Sequence, residues 1–151
     1  MKIEERLKEL QIELPQAPQP LAAYVPCKRS GNLVFVSGQG PSLNGGETPL
    51  GKVGVELTVE EGYHAARSCG LNLLAQLQKS LSNLDGVKSI VHIKGFVASG
   101  DNFYAQPQVV NGVSDLMVEV FGEAGQHTRC ALGANVLPGN IPVEVELIAE
   151  V

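Results

Sequence analysis

Polar residues at the ends of apolar runs are where a small chain can do chemistry, and here they are few: Tyr24, the run Ser37 to Gln39, Asn111, Arg129 and Glu144. Arg129 opens an otherwise apolar stretch, flanked by His127, Thr128 and Cys130. Its planar guanidinium can meet both oxygens of a carboxylate at once, a geometry lysine does not copy. An ion pair with a neighbouring carboxylate of the chain is its plain reading. Glu144 has the chemistry to handle a proton, or it belongs to a solvated row with Glu146 and Glu150. Asn111 falls in mid-helix, where facing solvent is the plain reading. A GxGxxG loop, a P-loop, a GxSxG elbow and an HExxH pair are all absent. Cys27, Cys69 and Cys130 form no CxxC pair and read as reduced thiols, so no metal is expected.

The chain that must position these residues has 151 of them, the usual size of one compact domain, with 44% hydrophobic and 18% charged residues. The formal net charge is −5, and the Lys and Arg residues are scattered rather than massed, which argues against a nucleic-acid partner. No apolar run is long enough for a bilayer span, and the opening MKIEERLKEL carries charges where a signal peptide needs an apolar block. A cytoplasmic single domain over 1–151 is the expectation, with no membrane contact.

Periodicity supplies the elements. Lys2 to Glu13 is amphipathic and predicts a short leading helix, and Pro15, Pro18 and Pro20 then make residues 14–21 a surface strap. Tyr24 to Arg29 and Leu33 to Ser37 predict a hairpin around Ser30-Gly31-Asn32, with Gly51 to Val55 as a possible third strand. From Thr58, apolar residues recur at steps of three and four as far as Leu84, and Thr58 with Glu61 makes a capping box. A strand over Val87 to Val97 and a second helix from about Tyr104 to Phe121 follow, Pro107 fitting only its first turn. Thr128 to Val136 and Val143 to Val151 predict two more strands, the last alternating cleanly. This order describes an α+β sandwich, two helices on one face of a sheet.

Ser37-Gly38-Gln39 after the hairpin, Arg129 opening a strand, Leu137-Pro138 beyond it and Val143-Glu144-Val145-Glu146 closing the chain together resemble the YjgF family, also called RidA or reactive-intermediate deaminases and often labelled endoribonuclease L-PSP. The resemblance spans roughly residues 21–151, the leading helix being similar to an addition in a longer branch. It implies a chorismate-mutase-like, two-layer fold with a mixed sheet, and a homotrimer with sites between subunits. It implies hydrolysis of small carboxylate-bearing enamines and imines to 2-oxo acids and ammonia, without a cofactor. Arg129 would hold the substrate carboxylate, Glu144 would handle protons or orient water, and Tyr24, Gln39 and Asn111 would line the substrate site. The family's cysteine two residues after the arginine is replaced by Ala131, and its common Pro-Ala before the arginine by His127-Thr128. A 2-oxo acid-binding or regulatory trimer without hydrolysis is therefore the alternative, and an endoribonuclease the third.

Overall fold

Helices and strands fall where the period of apolar residues sets them. In the computed structural model, which describes residues 2–151, the order is α1 (Ile3–Glu9), β1 (Cys27–Ser30), β2 (Leu33–Gln39), α2 (Val59–Leu81), β3 (Ser89–Ala98), α3 (Gln106–Phe121), β4 (Thr128–Ala134) and β5 (Val143–Glu150). The strands form one five-stranded sheet in the order β1-β2-β5-β3-β4. Neighbours are antiparallel except β3 and β4, which run parallel because α3 carries the chain back between them. The fold is α+β, with α2 and α3 packed on one face of a mixed sheet, as the sequence implies.

Local chemistry fixes the ends. Thr58 Oγ1 accepts from the Glu61 amide and the Glu61 carboxylate accepts from the Thr58 amide, both at 3.1 Å, starting α2 where the capping box predicts. Pro107 lies in the first turn of α3, where its missing N–H costs nothing. Along β5, Val143, Val145, Leu147 and Ala149 are buried under the helices while Glu144, Glu146 and Ile148 face the other way.

Three expectations are corrected. The leading helix stops at Glu9 rather than Glu13, because Gln11 adopts a left-handed φ of 57°. Residues Gly51 to Val55 are a turn, not a strand: Gly51 and Gly54 take φ of 115° and 84°, and Val53 makes only isolated bridges to Leu57 and Ser99. The first strand begins at Cys27, leaving Tyr24 outside the sheet.

The leading helix is docked, not appended. Ile3 and Leu7 enter the core, and the Glu4 carboxylate accepts from the Leu84 amide at 2.8 Å and from Gln78 Nε2 at 3.0 Å, just past the end of α2. Arg6 Nε donates to the Glu119 carbonyl near the end of α3.

At Gly112 of α3 the backbones of the two long helices meet closely. A methyl there would overlap the Tyr63 carbonyl and lie 3.0 Å from the Arg67 amide, both backbone atoms of α2. Gly112→Ala is therefore expected to lose about 1–3 kcal/mol of stability, overriding the gain of about 1 kcal/mol in helix propensity. The measurement is the urea midpoint. Gly86→Ala is the control, since its added methyl meets nothing within 4 Å and its effect should stay within about 0.5 kcal/mol. An unshifted midpoint for Gly112→Ala would show that the helices can part there.

Candidate functional site

A bulge in β2 builds one polar cluster. The register against β5 shifts between Val36 and Gln39, so Ser37 and Gly38 leave the ladder and the chain bends. Gly38 then lies against the Glu144 side chain: a Cβ on it would fall 2.9 Å from Glu144 Oε1, so only glycine leaves the carboxyl its place. Beyond the bulge Gln39 turns inward and is buried. Its Nε2 donates to the Ser37 carbonyl at 3.1 Å, and its Oε1 accepts from Gln76 Nε2 at 3.3 Å. Gln76, on α2, also donates to the Pro18 carbonyl at 2.7 Å, tying the proline strap to the bulge. One turn earlier Asn72 donates to the carbonyls of Gly40 and Ser42, at 2.9 and 2.7 Å, while its buried Oδ1 has no partner among the described residues.

These groups enclose a cavity of about 660 Å³ between the strap, the bulge and the Pro138-Gly139 turn. Tyr24, Gln39 and Glu144 all line it. Glu144 is half-buried and makes no hydrogen bond or ion pair among the described residues; burial, then repulsion from Glu146, raises its carboxyl above the ordinary carboxylate range. A carboxyl so placed holds a proton more readily than an exposed one and is free to exchange it with whatever enters.

The second cluster lies on the helix-covered side. Arg129 stands opposite Ile93, which is buried under the helices, whereas Glu144 stands opposite Phe96 on the other face. Arg129 Nη1 donates to Asn111 Oδ1 at 2.8 Å and to Ser114 Oγ at 3.1 Å, so Asn111 faces the arginine instead of solvent. Ser114 Oγ is 2.9 Å from His127 Nε2, and His127 Nδ1 is 2.6 Å from the Gly125 carbonyl. Burial lowers the His127 ring below its ordinary range, with Arg129 and His92 adding to the effect against the hydrogen bond to Gly125. Arg129 forms no ion pair among the described residues, so the intramolecular pairing that its sequence setting also allowed is not made.

Of the residues singled out from the sequence, Tyr24, Gln39 and Glu144 thus share one cavity, and Arg129 and Asn111 share the opposite face. One protomer does not join the two groups. Sequence reading missed Asn72 and Gln76, which are polar, one turn apart and buried in a stretch of α2 otherwise filled by Leu and Ala; that break in the apolar run was the available signal. It also missed Ser114, three residues after Asn111 and hence on the same helical face.

Comparison with known proteins identifies the fold and the family. The sequence pattern of the family described as "YjgF/chorismate mutase-like, putative endoribonuclease" matches residues 4–151. Protein TCP17 of Trypanosoma cruzi is 44% identical over 145 residues, 95% of this chain and 91% of its own. The 2-iminobutanoate/2-iminopropanoate deaminase of Dermatophagoides farinae is 28% identical over 138 residues, 91% of this chain and 92% of its own. A solved structure from Shewanella oneidensis superposes with a TM-score of 0.95 at 36% identity, over 99% of each chain. A sheet ordered β1-β2-β5-β3-β4 under two helices, matched over nearly its whole length by that pattern and that structure, belongs to the YjgF/chorismate-mutase-like family.

Proposed function

We propose that the protein hydrolyses small carboxylate-bearing enamines and imines to 2-oxo acids and ammonia, at sites completed between copies of a homotrimer. The observation that carries this reading is Glu144, a half-buried carboxyl without a partner that faces a cavity of about 660 Å³. In the proposed reaction water adds to the imine carbon, and Glu144 takes a proton from that water and returns it to the nitrogen. Glu144 then takes the hydroxyl proton of the resulting carbinolamine and passes it to the amino nitrogen, the carbonyl forms as the C–N bond breaks, and the 2-oxo acid and ammonia are left. Arg129 holds the substrate carboxylate, and Tyr24, Gln39 and Asn111 line the site or brace the arginine.

Because Arg129 and Glu144 lie on opposite faces within one protomer, the reading requires a neighbouring copy to bring its arginine to the cavity. The uncovered face of the sheet supports association: Phe35 pairs with Ile148 and Phe96 with Leu132 across adjacent strands, and Phe35 and Leu132 remain 44% and 46% exposed. The similarity to the mite deaminase supports the reaction class. A second reading, a 2-oxo acid-binding trimer without hydrolysis, is favoured by Ala131 beside Arg129 and by Cys130 projecting from the opposite, exposed face.

The deciding experiment adds the purified protein to 2-iminobutanoate generated in situ and follows 2-oxobutanoate and ammonia. Acceleration is expected. Glu144→Gln should lower the rate by about 10²- to 10⁴-fold with 2-oxo acid affinity little changed, while Glu146→Gln stays near wild type. Loss of rate as pH falls through the raised Glu144 value is expected in the wild type and absent in Glu144→Gln. Equal losses in both Gln variants would remove Glu144 from its role, and carboxylate binding without acceleration would favour the second reading.

Arg129→Lys should weaken 2-oxo acid binding by roughly ten- to a hundredfold in a folded protein, the worth of a paired, charge-assisted contact. Unchanged affinity would return Arg129 to a structural role. Light scattering at micromolar concentration should give the mass of a trimer, and a monomer mass would defeat the intersubunit site.

A further inference from the structure

The hydrogen-bond chain behind Arg129 has one possible direction. The Gly125 carbonyl can only accept, so the ring proton of His127 is on Nδ1 and Nε2 carries the free lone pair. Arg129 can only donate, so the Ser114 oxygen accepts from Nη1 and its single proton turns to His127 Nε2. The chain runs Arg129 to Ser114 to His127 to Gly125, every group used once. Its far end is rigid: a methyl on Gly125 would overlap the Met117 carbonyl, so this backbone is pressed against α3.

The same bonds decide which edge of the guanidinium is left. Nη1 is committed to Asn111 and Ser114, Nη2 has only a 3.5 Å contact with the Pro107 carbonyl, and Nε has no partner among the described residues. We propose that Ser114 and His127 are positioning residues, holding the Arg129 guanidinium so that its Nε–Nη2 edge is the fork offered to a ligand carboxylate. This rests on the reading of Arg129 as the carboxylate anchor.

The relay works only with a neutral ring, since a proton on Nε2 would turn the acceptor for Ser114 into a competing donor. Burial opposes that proton most, the hydrogen bond to the Gly125 carbonyl favours it, and the groups on neighbouring elements, Arg129 on β4 and His92 on β3, both oppose it. The Ser114 hydroxyl, facing it from α3, is uncharged.

Two measurements test the proposal. Nitrogen-15 spectra of the ring at pH 7 should show the Nδ1–H tautomer for His127; an Nε2–H tautomer or an imidazolium overturns the relay whatever the ligand does. Calorimetric titration with 2-oxobutanoate, at a temperature where every variant is folded, should show Ser114→Ala and His127→Ala binding about two- to tenfold more weakly than wild type, the size of one lost hydrogen bond. His127→Gln, which can accept and donate without titrating, should recover most of the loss. If Arg129→Lys loses binding but Ser114→Ala and His127→Ala bind like wild type, the positioning role fails and the anchor stands. If wild type and Arg129→Lys bind alike, the anchor reading fails and takes the positioning role with it.

Discussion

The height at which α2 and α3 cross the sheet controls both polar clusters. Gly112 lets the α3 backbone touch that of α2, and Gly62 and Gly70 make similar room for side chains of Val109 and Leu116. Helices that close leave no slack beneath them. Asn111 and Ser114 then come down onto Arg129, while Asn72 and Gln76 on α2 reach the Gly40–Ser42 turn and the Gln39 side chain just beyond the β2 bulge. Packing of small residues thus sets the position of the helix-borne polar groups in the two sites.

Placing amides under a helix has a cost that the structure meets in part. Gln39 and Gln76 bond one another and two backbone carbonyls, which offsets their desolvation and fixes the bulge in one shape. Asn72 spends both N–H donors on the Gly40–Ser42 turn and leaves its buried oxygen unmet, a penalty of about 1–3 kcal/mol. Stability is given up there at the wall of the cavity, where an ordered polar lining is most useful.

Most of the fold was legible because its signals are local. The Thr58–Glu61 capping box, the apolar steps along α2 and α3 and the alternation of β5 each depend on neighbours a few residues apart. The misreading of Gly51 to Val55 has a local cause as well: its valines suit a strand, but two glycines in left-handed conformations turn the chain away. The site was legible only in part. Tyr24, Arg129 and Glu144 were visible as polar residues at the ends of apolar runs. The Ser114–His127 relay was not, because it links a helix, a turn and a strand across residues 114–129 through hydrogen bonds that no spacing rule encodes.

The docked leading helix bears on kinetics at the cavity mouth. The strap is preceded by the docked α1 and held along its length by the Asn44 side chain on the Gln16 amide and by Gln76 on Pro18, and the chain beyond it is held by Ser37 on the Val25 carbonyl. Three prolines stiffen what lies between. A segment fastened at so many points serves as a fixed rim. An incoming molecule meets a preformed opening, so its association is governed by diffusion and by stripping water from the mouth, and its residence time by the contacts it makes inside, with no hinged step to wait for.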